Sequence, residues 1–275
     1  MKLSMWSSYF YTLSPEDMVS ALAGRGWRYA ELSDEHAEVL LGRGPAEQTG
    51  RAFARLAGEA GLSFLQGHLW LRCDIAGANR QATVDRLKAW LDLFLAVGIK
   101  AAVLHPAGYA RYKNGDDPQA IAADSAASLA ELSGYLRGTD LTICLENLFT
   151  HSTTCADLIS LIEAAGDRNL GICLDTGHLN LAGRDQDAFI RQAGSRLKAL
   201  HITDNQETSD QHLLPFGPGT VDWVGVVRSL EAIGYDGLFN YEIPGERRAP
   251  LPILLAKLDY IRTMTELLFA EAANP

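Results

Sequence analysis

Closely spaced cysteines are missing from this sequence. Its four cysteines are far apart, and no Cys-x-x-Cys pair occurs among Cys73, Cys144, Cys155 and Cys173. Paired thiolates are what zinc-thiolate sites and dithiol redox motifs require, so neither kind of centre is predicted. We expect the four side chains to be reduced and buried.

The chain also lacks a long apolar run and an excess of positive charge. No stretch reaches the roughly 18 to 20 apolar residues of a membrane helix, and residues 1–6 do not have the pattern of a signal peptide. The formal net charge of -10 disfavours a partner held through its phosphate backbone. These absences predict a cytoplasmic protein without a membrane partner, and they make nucleic acid an unexpected partner. A homo-oligomer is compatible with this composition.

Low-complexity tracts and linkers rich in proline or serine are absent as well. Short apolar runs instead alternate with helical patterns, which is typical of strand–helix units around a parallel sheet. Eight such units in 275 residues predict an α/β fold, a single (β/α)8 TIM barrel, with residues 1–275 forming one domain. The predicted strands are 2–6, 29–32, 62–68, 101–105, 141–146, 170–175, 197–201 and 237–242.

Helix limits follow from caps and glycines. Ser14 before Pro15 predicts a helix start, and Gly24 predicts the end of that helix. The segment after the fourth strand, 109–115, is predicted to be a loop. The other predicted helices are 46–60, 81–97, 119–136, 156–165, 222–233 and 251–272.

The last four strands share a chemical feature at their ends. Each closes on a residue type that binds metal ions: Glu146, Asp175, His201 and Glu242. Side chains alternate along a strand, so these four are predicted to share the inner face with the residues two positions earlier, while the intervening residues face outward. A charged group ending a buried strand is unfavourable unless it is paired or bound to metal. We therefore expect the four to converge at the barrel mouth, where the chemistry of such barrels lies.

More polar side chains are predicted near the same mouth. His68 and His105 end the third and fourth strands, His178 follows Asp175 closely, and Asp210 and His212 follow the seventh strand. Imidazole forms hydrogen bonds as readily as it ligates metals, so for His68 and His105 both roles stay open.

Four further residues complete the candidates. Trp6 ends the first strand and is a candidate apolar wall of the binding site. Arg247 is a candidate for binding a phosphate or carboxylate of the substrate, with a solvated position as the alternative. His36 and His151 are interpreted either as solvated loop residues or as side chains that line the mouth.

Several motifs together resemble the xylose isomerase-like TIM-barrel superfamily. They are Leu145-Glu146-Asn147, Leu174-Asp175-Thr176-Gly177-His178, Leu200-His201-Ile202-Thr203-Asp204-Asn205, Gly217-Pro218-Gly219-Thr220-Val221-Asp222-Trp223 and Tyr241-Glu242-Ile243. The resemblance spans the whole barrel and is specific from Leu141 onward. The superfamily includes sugar phosphate isomerases and epimerases, ketose 3-epimerases, inosose-processing enzymes and endonuclease IV.

Resemblance to the isomerases and epimerases implies a metal-dependent enzyme that acts on a sugar, a sugar phosphate or a keto-polyol. It implies that Glu146, Asp175, His201 and Glu242 hold one divalent ion, Mn2+, Mg2+, Co2+ or Zn2+. It also implies that Glu146 and Glu242 act as acid and base. An ion on the carbonyl and hydroxyl oxygens would stabilise the enediolate that forms when the neighbouring carbon loses its proton.

Resemblance to endonuclease IV implies another activity, a trinuclear-zinc phosphodiesterase. That enzyme holds three Zn2+ with nine ligands, and the nine matching residues here are His68, His105, Glu146, Asp175, His178, His201, Asp210, His212 and Glu242. The motif at residues 201–205 resembles the isomerases more, so the five residues outside the four-ligand set are predicted to serve substrate hydroxyls and the outer shell. A lyase acting on 3-oxo-sugar glycosides is a third candidate function. A fourth is a non-catalytic metal-binding or sugar-binding protein, which the intact pair of glutamates disfavours.

Overall fold

The computed structural model describes residues 1–166, 168–246 and 248–274. Its central feature is a sheet of eight parallel strands, in which each strand pairs with its sequence neighbours. The strands are β1 (Lys2–Trp6), β2 (Tyr29–Leu32), β3 (Ser63–His68), β4 (Ala101–Leu104), β5 (Thr142–Glu146), β6 (Leu170–Asp175), β7 (Leu197–His201) and β8 (Leu238–Tyr241).

The sheet closes on itself. β1 pairs with β2 on one side and with β8 on the other. β7 meets β8 through a parallel bridge between Ile202 and Tyr241, where the N–H of Ile202 donates to the carbonyl of Asn240 at 2.8 Å. The predicted (β/α)8 barrel is therefore confirmed.

Eleven α-helices surround or cap this barrel in the part of the chain that the structure describes. None of these helices is both long and apolar enough to span a bilayer. The helices are α1 (Pro15–Ala23), α2 (Asp34–Leu41), α3 (Ala46–Glu59), α4 (Arg80–Val97), α5 (Tyr109–Asn114), α6 (Pro118–Tyr135), α7 (Cys155–Ala165), α8 (Thr176–Leu181), α9 (Gln186–Ala193), α10 (Trp223–Ala232) and α11 (Leu251–Ala272).

The helix signals in the sequence were reliable for long helices and not for short ones. Ser14 caps α1 as expected, since its hydroxyl accepts a hydrogen bond from the N–H of Asp17 at 3.1 Å. The segment predicted as a loop after β4 is instead the short helix α5, which ends at Gly115 with a positive φ of 78°. α8 was also missed, because its N-cap is Asp175, the last residue of a strand.

The two faces of the strands differ as the alternation predicts. Leu145, Leu174, Leu200 and Tyr241 belong to the large apolar core that includes the surrounding helices. Small side chains fill the inside of the barrel, in a separate cluster of Ala101, Val103, Cys144, Cys173 and Ala199. The four cysteines are buried and unpaired, also as expected. A packed, apolar floor therefore lies beneath the strand ends on the side of β4 to β7.

Candidate active site

A cavity of about 500 Å³ opens at the carboxyl ends of the strands. Pockets of a few hundred cubic ångströms are of the size that binds small molecules, and this end of a (β/α)8 barrel carries the chemistry. Side chains from all eight βα units meet here. Its walls include Trp6, Asp34, His68, Arg72, Asp74, His105, Tyr109, Glu146, His178, Asp210, His212 and Glu242.

The four residues that end β5 to β8 converge at the bottom of this cavity. Glu146, Asp175, His201 and Glu242 each offer a ligand atom, and these atoms lie within 4.8 Å of one another. His201 Nδ1 is 3.4 Å from Glu146 Oε2 and 3.3 Å from Glu242 Oε2. All four residues are buried, and the side chain of Glu242, the most exposed of them, is 9% exposed.

Several atoms of this group have no hydrogen-bond partner in the protein. They are Glu146 Oε2, Asp175 Oδ2 and His201 Nδ1. Buried lone pairs that face one another are unfavourable unless a cation lies between them. Three carboxylates and one imidazole form a donor set that suits divalent metal ions. The residues therefore fit the kind of ion that the sequence resemblance implies.

Neighbouring groups hold Asp175 and Glu146 in place. Asp175 Oδ1 accepts a hydrogen bond from the N–H of His178 at 2.6 Å, so only its second oxygen is free. The side-chain amide of Asn147 forms two hydrogen bonds with the main chain of Asp175. Its Oδ1 accepts from the N–H of Asp175 at 2.8 Å, and its Nδ2 donates to the carbonyl of Asp175 at 3.0 Å. Asn147 thus connects the carboxyl ends of β5 and β6 through these two hydrogen bonds.

The two glutamates have opposite proton affinities. Burial raises the pKa of Glu242 to about 7, although His201 and His212 oppose the rise. Burial acts in the same direction on Glu146, but His201, together with the other imidazoles around it, outweighs burial and holds the pKa of Glu146 well below its usual value. With the protein groups alone, one carboxylate is ionised at neutral pH and the other is close to half protonated.

Two more histidines face Glu146 from β3 and from the end of β4. His68 Nδ1 lies 2.7 Å from the carbonyl of Leu69, which can only accept, so Nδ1 carries the proton and Nε2 points to Glu146 Oε2 at 3.6 Å. His105 Nε2 lies 3.5 Å from the same oxygen. Burial lowers the pKa of His105, whereas Glu146 outweighs burial at His68 and raises its pKa to about 9.

A third group lies on the side of the mouth next to α8. His178 Nε2 and His212 Nε2 lie 3.4 and 3.3 Å from the two carboxylate oxygens of Asp210. The opposite ring nitrogens lie near main-chain carbonyls, 3.0 Å from Asn147 for His178 and 2.7 Å from Glu242 for His212. Despite burial, Asp210 raises the pKa of His212 to about 10. The structure therefore brings all five of the additional His and Asp candidates to the mouth, and their roles stay predictions.

The remaining candidates have different outcomes. Trp6 lines the cavity, and its role as a wall for a substrate stays a prediction. Arg247 lies outside the described residues. His36 and His151 are neither solvated nor among the residues that line the mouth cavity: His36 lies 3.0 Å from the hydroxyl of Ser7, and the ring of His151 stacks on Tyr112 with centroids 4.1 Å apart. His36 lies in the first turn of α2, and His151 lies in the connection between β5 and α7.

Sequence reasoning missed Glu31 in β2. This side chain is fully buried, and its Oε1 accepts a hydrogen bond from His201 Nε2 at 3.0 Å. A signal was present, since the alternation that selected the four strand-end residues also puts Glu31 on the inner face. It was overlooked because Glu31 belongs to none of the recognised motifs.

These features match a known family. The sequence profile of the xylose isomerase-like TIM barrel family matches residues 19–264. The chain belongs to this family. The resemblance carried by the motifs is thereby confirmed for the greater part of the chain.

Individual relatives of this family member are distant. An uncharacterised protein, y4fM, of Sinorhizobium fredii is 27% identical over 196 residues, which are 70% of this chain and 60% of that protein. A D-psicose 3-epimerase of Enterocloster bolteae is 29% identical over 126 residues, 44% of this chain and 40% of that enzyme. The chain thus spans about two fifths to three fifths of these relatives' own lengths.

The likeness in three dimensions covers nearly the whole chain. The crystal structure of a D-psicose 3-epimerase in the presence of D-fructose superimposes with a TM-score of 0.82 at 15% identity, covering 98% of this chain and 99% of that one. At this identity the superposition shows a shared fold.

Proposed function

We propose that this protein is a divalent-metal-dependent epimerase or isomerase of a ketose or related keto-sugar. The observation that carries the proposal is a pair of carboxylates, Glu146 and Glu242, which end two strands at the barrel mouth and belong to a buried four-residue group whose ligand atoms lie within 4.8 Å of one another. Two carboxylates on either side of a reacting carbon can remove a proton and return it. The D-psicose 3-epimerase among the relatives supports a ketose as the substrate class.

The two glutamates supply both proton transfers. The ionised Glu146 takes the proton from the carbon next to the carbonyl, and the electron pair of the broken C–H bond passes into an enediolate. Glu242 in its protonated form then returns a proton to the same carbon from the other side, which inverts that centre. Return of the proton to the neighbouring carbon gives isomerisation instead.

Other side chains of the mouth bind and orient the sugar. His68, His105 and His178 surround Glu146 with ring nitrogens 3.1 to 3.6 Å from its oxygens, close enough to share hydrogen bonds with substrate hydroxyls. Trp6 offers an apolar face. A divalent ion held by Glu146, Asp175, His201 and Glu242 would supply positive charge to the substrate's carbonyl and hydroxyl oxygens.

Hydrogen exchange with solvent tests this function. The protein, loaded in turn with Mn2+, Co2+, Mg2+ or Zn2+, is incubated in heavy water with D-fructose, D-psicose and L-ribulose. We expect an epimer that carries deuterium at the carbon next to the carbonyl, and loss of the reaction when a chelator is added. Conversion of each substrate without deuterium at that carbon would favour a hydride shift, and no conversion or exchange in the whole panel would contradict the proposal.

One observation favours a second candidate, the trinuclear-zinc phosphodiesterase. The nine expected residues form three groups that each could hold an ion: His68, His105 and Glu146; His178, Asp210 and His212; and the four-residue group of Glu146, Asp175, His201 and Glu242. Metal analysis separates the two functions, because one ion per chain supports the epimerase and three zinc ions support the phosphodiesterase. Chelator-sensitive cleavage of a DNA duplex with an abasic site would decide for the latter.

A further inference from the structure

Glu31 is a carboxylate in the interior of the barrel. It lies on β2, a strand that contributes none of the four proposed ligands, and it is 0% exposed. Its Oε1 accepts from His201 Nε2 at 3.0 Å, and its Oε2 accepts from the side-chain amide of Asn240. Asn240 Oδ1 in turn accepts from the hydroxyl of Ser4 at 2.8 Å. A hydrogen-bonded chain thus connects β1, β8, β2 and β7 beneath the mouth.

No lysine or arginine compensates this buried charge in the part of the chain that the structure describes. The one ionic partner within 4.0 Å of Glu31 among these residues is His201. Removing a carboxylate from water is unfavourable unless hydrogen bonds and opposite charge replace its hydration. The hydrogen bonds come from His201 and Asn240, and the opposite charge must therefore act through His201.

The contact fixes how His201 presents its ring. A carboxylate accepts hydrogen bonds, so in the neutral form that a metal ligand must take, the imidazole carries its proton on Nε2 and keeps the lone pair of Nδ1. That Nδ1 is buried without a hydrogen-bond partner and faces Glu146 Oε2 at 3.4 Å and Glu242 Oε2 at 3.3 Å. A histidine ligand held by a carboxylate on its far nitrogen is a recurring arrangement of metal sites.

We propose that Glu31 is a positioning residue of the metal site, which fixes the tautomer and orientation of His201 and adds a fourth carboxylate charge to the binding of a divalent ion. This inference rests on the proposed metal-dependent function. Glu31 is not among the residues that line the cavity, and its ionic contact in this group is with His201, so it acts through His201. Loss of such a group typically weakens metal binding about 10-fold to 100-fold.

The variant Glu31→Gln removes the charge and keeps the shape. The carbonyl oxygen of the new glutamine can accept from His201, and Asn240 can turn its amide so that its oxygen accepts from the new N–H group. The Ser4 hydroxyl then accepts rather than donates. Ser4→Ala is the matched control, because it breaks the same buried chain at its far end and leaves the contact between Glu31 and His201 intact.

Affinities for Zn2+ and Co2+ are measured by competition with a chromophoric chelator, without substrate. We expect Glu31→Gln to bind each ion 10-fold to 100-fold more weakly than the parent protein and to shift the visible spectrum of bound Co2+, with Ser4→Ala within threefold of the parent. Equal affinity of parent and Glu31→Gln, or an equal loss in both variants, would refute a role through His201. A parent protein that binds no divalent ion would refute this proposal and the metal-dependent function together.

A second measurement needs no variant. In protein labelled with 15N-histidine and loaded with 113Cd2+, the cadmium should couple to Nδ1 of His201, while Nε2 keeps its proton. Coupling to Nε2 would overturn the proposed orientation. Neither measurement uses catalysis, so deuterium exchange with a ketose can succeed while the role of Glu31 fails, and the reverse outcome is equally visible.

Discussion

At the scale of single residues, the surroundings of two glutamates set their charges. Among the described residues, four imidazoles lie within 3.6 Å of Glu146, whereas two lie within 3.7 Å of Glu242, which stays protonated more readily. We expect Glu146→Gln and Glu242→Gln each to lower the rate of hydrogen exchange about 10^2-fold to 10^4-fold. The barrel should stay folded and still bind metal, since the amide oxygen can ligate. Glu246→Gln, on the exposed loop after β8, is the control and should keep the parent rate.

Asp175 has two roles that a substitution can separate. One oxygen caps α8 and the other points to the proposed ion. Asp175→Asn keeps an oxygen for the cap and removes the charge, so metal binding should weaken 10-fold or more with little loss of helix. Asp185→Asn changes the equivalent cap of α9, far from the ligand group, and should leave metal binding unchanged. Unaltered metal content in Asp175→Asn would remove Asp175 from the ligand set.

His151 makes the protein sensitive to acid. Burial lowers its pKa to about 4, against a pKa of 6.5 in the unfolded chain. Its contribution to the free energy of unfolding is therefore complete above pH 6.5 and is lost as the pH falls through about 4. His151→Gln should flatten the dependence of stability on pH between 6.5 and 4 in urea titrations, and an unchanged slope would show that His151 does not titrate in this range.

At the scale of elements, Asp204 holds the long connection between β7 and α10. Its Oδ1 accepts from the main-chain N–H groups of Asn205, Thr220 and Val221 at 2.8 to 3.2 Å, and its Oδ2 accepts from the indole N–H of Trp223 at 2.8 Å. The connection carries Asp210 and His212 to the mouth. A single buried carboxylate thus sets the position of one wall of the cavity.

The hydrogen bond between Asp204 and Trp223 can be tested with a double-mutant cycle. Asp204→Asn puts an amide N–H against the indole N–H of Trp223, and a buried donor without an acceptor should cost about 1–3 kcal/mol. Trp223→Phe removes the opposing donor. The double variant should therefore be more stable in urea unfolding than the sum of the two single changes, by about 1 kcal/mol. Additive effects would mean that the two side chains are not coupled.

The elements that the sequence predicted are those with a repeated pattern. The limits of β1, β2, β6 and β7 agree with the prediction to the residue, because apolar alternation defines them. α5 and α8, of six residues each, carry too few turns for a periodic signal. The four strand-end candidates were found because they recur at equivalent positions, and Glu31 was missed because its significance depends on contacts with β7 and β8 that sequence spacing does not contain.

At the scale of the whole molecule, the barrel joins residues that are distant in the chain. The hydrogen bond between Ser4 and Asn240 spans 236 positions, and that between Glu31 and His201 spans 170. Contacts of this span require long segments to be ordered first, since closing a long loop is entropically unfavourable. The polar chain beneath the mouth therefore forms only when β1, β2, β7 and β8 have come together.

A late closing of this barrel would have a kinetic consequence. If the ligand group forms after the rate-limiting barrier, a bound ion stabilises the native state and leaves the transition state unaffected. Stopped-flow experiments in urea should then show that Zn2+ or Mn2+ slows unfolding while the refolding rate stays constant, and that Asp175→Asn abolishes the difference. Faster refolding with metal would place the four strand ends in the folding nucleus. With the expected result, the same ion that is proposed to assist proton transfer would also give the barrel kinetic stability, because it would slow unfolding.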